Sequence, residues 1–283
     1  MRVLLTGAGG QLGTDVSLAA DGNDEIELMA CDRAALDITD AAAVVRVFDQ
    51  AGPQVVLHAA AFTAVDVCET EEAATFAVNA TGTENVVAAA EAVGAKVIYV
   101  STDYVFDGSK DSAYVESDAP NPASVYGRSK LAGEQAMRSD DVIVRTSWVC
   151  GSHGANMVKT ILRLAESHPT LTFVDDQIGK PSFTADLAQV LLTMVGRPDL
   201  SGITHVTNEG VASWYGFCGD VLAAAGQDRS RVLSCATHEL QPPRPAPRPA
   251  NSVLANTRFA EFGLPLLRDY HEPLKETVAD LTS

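Results

Sequence analysis

The chain has 283 residues, 46% apolar and 20% charged, with 21 glycines and 13 prolines. That is enough for about two domains, or one large α/β unit with an appendage, and it excludes a collagen or a disordered coil. Twenty Lys and Arg against 37 Asp and Glu leave a net charge of −17, a field that repels nucleic acid and anionic membranes but still permits a small phosphorylated ligand held by local cations and backbone N–H groups. Five cysteines at 31, 68, 150, 218 and 235, without CxxC spacing, read as reduced thiols. With no secretory h-region and no run of about 18 apolar residues, the expected location is the cytoplasm, with no transmembrane helix.

In chain order, β-branched runs at 3–6, 26–30, 55–58, 97–101 and 142–146 predict strands. Alanine- and glutamate-rich stretches at 11–20, 40–51, 71–93 and 125–137 predict the helices between them. This alternation is the signature of βαβ units, and nearly all-apolar strands imply helices on both faces: a Rossmann-type, doubly wound parallel sheet over residues 1–150. Residues 151–283 read as a smaller α+β substrate lobe, with the chain free to cross back between the two. Its predicted elements are a helix at 156–166, a strand at 171–174, and helices at 184–195 and 213–225. The proline-rich run 241–249 must be extended, either as a linker or as a rigid mount for Arg244 and Arg248 facing a diphosphate.

Thr6-Gly7-Ala8-Gly9-Gly10-Gln11-Leu12-Gly13 lies between the first strand and the first helix. Glycines there allow a tight turn, backbone approach to a pyrophosphate and close helix packing, and the helix start supplies N–H donors and a positive dipole. With Asp32 just after the second strand, the pattern predicts dinucleotide binding, and the absent GK[ST] argues against a P-loop. Asp32 suits the ribose hydroxyls of NADH, whereas Arg33 suits the 2′-phosphate of NADPH. Asp37, beside Ile38, either reaches the adenine or belongs to the next helix cap. Ala59, Ala60 and Ala61, with Thr63 beyond, end the third strand with small side chains where a cofactor would approach. His58 reads as a packed, hydrogen-bonded histidine.

Tyr126 and Lys130 stand four apart at the start of a predicted helix, on one face. A neighbouring ammonium and a cationic nicotinamide would lower the phenol's pKa, making Tyr126 a general acid for a carbonyl oxygen, with the Thr102 hydroxyl meeting the same atom.

The set TGxxGxxG at 6–13, NATGTEN at 79–85, STDYVF at 101–106 and YxxxK at 126–130 resembles the extended short-chain dehydrogenases/reductases. Within them, GQLG at 10–13, AAFTAVD at 60–66, KLAGE at 130–134, RTSWV at 145–149 and RPANS at 248–252 resemble the dTDP-4-dehydrorhamnose reductases, over essentially the whole chain. The resemblance implies hydride transfer from NAD(P)H to C4 of a dTDP-4-keto-6-deoxyhexose. Tyr126 would protonate the alkoxide, Lys130 would hold the nicotinamide ribose, and Thr102, Asp103 and Trp148 would contact the sugar with Tyr104 close by. Lys180 and Arg248 would be diphosphate or thymidine contacts. The expected assembly is a monomer or homodimer.

Two positions depart from the family pattern: Cys150 stands where an aromatic is expected, and His58 where asparagine is. Some relatives carry interfacial magnesium, but the spacing of Glu166, Asp175, Asp176 and Asp186 does not compel a metal site. Three alternatives remain open: a ketoreductase of the same fold serving natural-product glycosylation, a catalytically silent regulatory subunit, and a nucleotide-sugar epimerase or dehydratase.

Overall fold

The computed structural model describes residues 1–283. The alternation read from the sequence becomes β1 (Arg2–Thr6), α1 (Gln11–Ala20), β2 (Glu27–Cys31), α2 (Ala41–Ala51), β3 (Val55–His58), α3 (Val65–Cys68), α4 (Glu72–Phe76), α5 (Gly82–Ala92), β4 (Lys96–Thr102), α6 (Val125–Gln135) and β5 (Val142–Thr146). Beyond these come β6 (Val149–Cys150), α7 (Met157–Ser167), β7 (Leu171–Val174), β8 (Ile178–Gly179), β9 (Ser182–Phe183), α8 (Thr184–Val195), β10 (Gly202–His205), β11 (Ala212–Ser213), α9 (Trp214–Ala224), β12 (Val232–Cys235), α10 (Phe259–Phe262) and α11 (His271–Thr282).

The main sheet has six strands in the order β10-β5-β4-β3-β1-β2, every neighbouring pair parallel. The order reverses between β1 and β3, so a crevice opens at their carboxyl ends, where doubly wound sheets bind ligands. One face is covered by α1 and α8, with Leu12, Val16, Leu187 and Leu191 in a shared core, and the other by α2 and α5 through Val44, Phe48, Val86 and Ala90. Both strand faces are therefore buried, which is why β3 and β5 carry no exposed residue.

One expectation needs correction. The helix expected over 71–93 is interrupted by a π-turn at Ala77–Thr81, which splits it into α4 and α5. The sheet also gains a sixth strand, β10, from well beyond residue 150, and α8 and α10 pack on the same sheet core. Residue 150 thus marks where the chain first leaves the sheet. A separate core joins Val158, Ile161, Phe217, Val221 and Leu274, all from the later part of the chain. The run 241–249 contains no helix or strand, as five prolines in nine residues require. No helix is long and apolar enough to cross a membrane.

Candidate active site

The turn after β1 is shaped by close packing. Gly7 has φ +76°, and a Cβ there would lie 2.6 Å from the Ala60 nitrogen; one on Gly13 would lie 2.2 Å from the Gly7 carbonyl oxygen. Both positions therefore demand glycine, the first also for its backbone angle. Gly10 caps α1 without any side-chain bond and no acid occupies the first turn, so the helix start keeps donors and a positive dipole for an anion.

Two cavities of about 470 and 510 Å³ meet at Gly7, Gly10, Ala59 and Ala61. The second is bordered by Gly9, Asp32, Arg33, Asp37, Ile38 and Ala60. Asp32 accepts from the Ala35 N–H at 2.9 Å, and Arg33, 85% exposed, lies 3.9 Å from Asp37. Asp37 is not the helix cap: it holds the Thr39 N–H and hydroxyl, which keeps its carboxyl below the usual range, while Asp40 caps α2. The first cavity gathers Gln11, Leu12, Gly13, Thr63, Thr102, Asp103, Tyr104, Tyr126, Lys130 and Trp148. The buried Gln11 Oε1 has no partner there, the kind of vacancy a polar ligand satisfies. The two joined cavities, the glycine floor and the helix start all fit a dinucleotide.

Beneath the floor, His58 is wholly buried and stacked on Tyr99. Thr83 gives its one hydroxyl proton to the Asn79 carbonyl, so its oxygen must accept from His58 Nε2–H at 3.0 Å. Nδ1 then accepts from the Thr6 hydroxyl at 2.7 Å, and the Thr6 oxygen accepts from the Ala60 N–H. Burial, reinforced by nearby Lys130, pushes His58 down to about 3 and keeps it neutral. It is the packed histidine expected. The π-turn presents Asn79, whose side-chain amide pairs with both backbone groups of Phe62 and donates to Ser129, tying the floor to α6.

Ser124 caps α6 through the Gly127 N–H, and Gly127 lets the helix press on Tyr104, whose carbonyl oxygen would be 2.1 Å from an added Cβ. This brings Tyr126 against the end of β4, where Thr102 donates to Asp103 Oδ1 at 2.9 Å. Burial raises the Tyr126 phenol well above its ordinary value, opposed by the Thr102 hydroxyl. The phenol is therefore protonated at neutral pH, the form a proton donor needs. Lys130 donates to the Val100 carbonyl at 2.8 Å and sits 4.0 Å over the Tyr99 ring. Burial pushes it down to about 7, opposed by Glu134. Glu134 is held by a two-pronged pair with Arg145 at 2.9 and 2.6 Å and by the Ser101 hydroxyl. Removing either partner of such a buried pair costs about 3–5 kcal/mol. Desolvation raises Asp103 to about 6, and its Oδ2 is buried without a partner.

Trp148 has φ +46°, unusual for a side-chain-bearing residue. Its indole lies parallel to Trp214, centroids 3.6 Å apart, with Gly179 close on the tryptophan edge. The only two tryptophans in the chain thus form one wall of the cleft. Sequence reading missed Trp214; the visible signal was its place next to Ser213, which caps α9.

A third cavity, about 530 Å³, shares Tyr104, Met157 and Trp214 with the catalytic cleft and holds Arg244 and Arg248. Lys180 is not brought to any of these spaces. It is buried, with its ammonium 3.0 Å from both Glu209 oxygens and its carbonyl accepting from Ser147. An ion pair with the partly exposed Glu209 takes the place of the substrate contact expected of it. No group of three or more His, Cys, Asp or Glu side chains is gathered for a metal.

The chain's residues 1–283 match the family described as RmlD substrate binding domain. It is 40% identical to the dTDP-4-dehydrorhamnose reductase of Mycobacterium tuberculosis, covering 98% of this chain and 92% of that one. A Clostridium acetobutylicum dTDP-4-dehydrorhamnose reductase structure superposes with a TM-score of 0.95 at 40% identity, covering all of both chains. The Bacillus anthracis enzyme in complex with NADP superposes at 0.93 with 35% identity, covering 99% of each. The chain belongs to the dTDP-4-dehydrorhamnose reductase family.

Proposed function

We propose that this protein reduces the C4 ketone of dTDP-4-dehydro-6-deoxy-L-mannose, giving dTDP-L-rhamnose. The observation that carries this reading is the convergence of Thr102, Asp103, Tyr126 and Lys130 on one cleft that continues over a glycine floor. NADPH or NADH, when bound, supplies the hydride. Tyr126 donates its phenolic proton to the oxygen of the former carbonyl, so hydride and proton together make the alcohol. Thr102 turns its hydroxyl from Asp103 to that same oxygen and stabilises the growing negative charge. Lys130 spends one N–H on Val100 and directs the rest at the nicotinamide ribose, placing a cation where the phenolate is left. The unpartnered Asp103 Oδ2 accepts from a sugar hydroxyl, and Trp148 packs against the sugar. The protein works as a monomer or homodimer in the cytoplasm, on a small-molecule dTDP-sugar.

The test is loss of NAD(P)H absorbance with this keto sugar generated in place, the product identified by NMR. Oxidation with formation of dTDP-L-rhamnose is expected. No oxidation by protein that binds the cofactor would overturn the assignment and favour another dTDP-keto sugar.

A further inference from the structure

In a chain of net charge −17, the cavity beyond Tyr104 and Trp214 has no Asp or Glu in its lining. It presents Arg244 and Arg248 at one side and Leu164, Leu171, Phe173 and Val174 elsewhere, which suits a nucleoside diphosphate: arginines for the phosphates and apolar surface for a base. What holds those arginines lies outside the cavity. Asp66, on α3, accepts from Arg248 Nη1 and Nη2, both at 2.9 Å, and from the Ala246 N–H at 3.2 Å, and lies 3.8 Å from Arg244. Arg248 foremost keeps the Asp66 carboxyl below the usual range. The strap 241–249 has no helix or strand ladder, and its prolines remove most of its N–H donors, so this carboxylate is its main polar anchor.

We propose that Asp66 is a positioning residue for a diphosphate-binding Arg248. A guanidinium has five N–H donors. Asp66 takes one from each Nη, and the Ala246 carbonyl takes the second from Nη1 at 2.9 Å. What remains is Nε–H and one Nη2–H, adjacent and parallel: a fork that matches two phosphate oxygens. Asp66 thus occupies one edge of Arg248 and turns the other to the ligand. It also follows directly on Thr63 and Val65 of the catalytic cleft, so one short segment borders the cofactor space and sets the nucleotide space.

This inference rests on the dTDP-sugar reading, and the experiment separates the two. Thymidine diphosphate is titrated calorimetrically into the wild type, Asp66→Asn, Arg248→Gln and the double variant, with NADPH titrated in parallel. Asp66→Asn and Arg248→Gln are each expected to weaken thymidine diphosphate roughly tenfold, the double variant no more than Arg248→Gln alone, and NADPH affinity to stay constant. In turnover, KM for the keto sugar should rise with little change in kcat. Thymidine diphosphate bound by Asp66→Asn as tightly as by wild type, or more tightly, would overturn the inference by making Asp66 a bystander or a competitor. An Arg248→Gln variant that binds normally would instead remove the nucleotide from this cavity. Should Asp66→Asn fail to fold, Arg248→Lys keeps the ion pair but loses the fork; wild-type affinity in it would equally overturn the proposal.

Discussion

The floor of the cleft is made of backbone and its far wall of side chains, and the two respond to substitution in opposite ways. At the floor, Gly7, Gly13 and Ala60 touch through main-chain atoms, with an added carbon meeting its neighbour at 2.2–2.8 Å. At the wall, Thr102, Tyr126 and Lys130 project functional atoms from β4 and α6, whose packing depends on other residues such as Gly127 and Glu134. The floor couples ligand binding to folding, whereas the wall is free to carry chemistry with little structural cost.

The sharpest way to break that comparison is to alter the wall without touching the fold. Tyr126→Phe removes one oxygen and is expected to lower turnover by about 10² to 10⁴ while NADPH affinity and urea midpoint stay near wild type. Steady-state kinetics beside a denaturation curve checks both halves, and a variant that loses stability in step with activity would erase the distinction. Gly13→Ala is the converse. Its methyl has no space beside the Gly7 carbonyl, so the expected cost is about 1–3 kcal/mol of stability together with weakened NADPH binding. A lower urea midpoint with unchanged affinity would mean the floor serves folding alone.

The same division explains how much could be read in the sequence. The glycine part of the floor is local: strand end, turn and helix start lie within 6–13, so the glycine pattern exposes it, and β1, β3, β4 and β5 carry β-branched residues while β2 (Glu-Leu-Met-Ala-Cys) shows only as an apolar stretch. β10 (Gly-Ile-Thr-His) is short and opens on a glycine, and its buried Thr204 and His205 break the apolar pattern, while the His205 backbone N–H reaches Glu116 from 89 residues away. The wall is half legible. Tyr126 and Lys130 are four apart, but Trp148 meets Trp214 and Arg248 meets Asp66 only through the tertiary fold. Lys180 shows the converse error: its charge was visible, while the Glu209 that occupies it was not. The π-turn was hidden because the Ala and Glu of residues 71–93 dominate the pattern over Asn79, Thr81 and Gly82, and what favours the extra residue is Asn79 reaching Phe62 and Ser129.

His58 tests the floor from beneath by pH. Its pKa is depressed from 6.5 to about 3 in the folded protein, so below pH 6.5 the unfolded chain takes a proton that the native state refuses. Stability from this group is therefore complete above 6.5 and is lost as pH falls toward 3, at about 1.4 kcal/mol per pH unit, or about 2 kcal/mol by pH 5. His58→Asn keeps a donor and an acceptor but does not titrate. The difference in unfolding free energy between the two proteins should shrink on acidification with that slope, and parallel curves between pH 6.5 and 5 would mean the ring is protonated in place.

The smallest effect is expected where the floor meets solvent. Arg33 is 85% exposed and only 3.9 Å from Asp37, so its side chain is cheap to remove and its contribution to a 2′-phosphate is screened by water. Asp32 stands beside it with one oxygen committed to the Ala35 N–H and the other available to a ribose hydroxyl, an arrangement that repels a 2′-phosphate unless Arg33 offsets it. Arg33→Ala should accordingly weaken NADPH by about five- to tenfold, near 1 kcal/mol, and leave NADH unchanged, a change in preference with no change in fold. Fluorescence titration of both cofactors reads it directly. Equal weakening of the two would move the phosphate contact away from Arg33 and leave the residue a general attraction for the pyrophosphate, in which case raising the salt concentration should abolish the difference between variant and wild type.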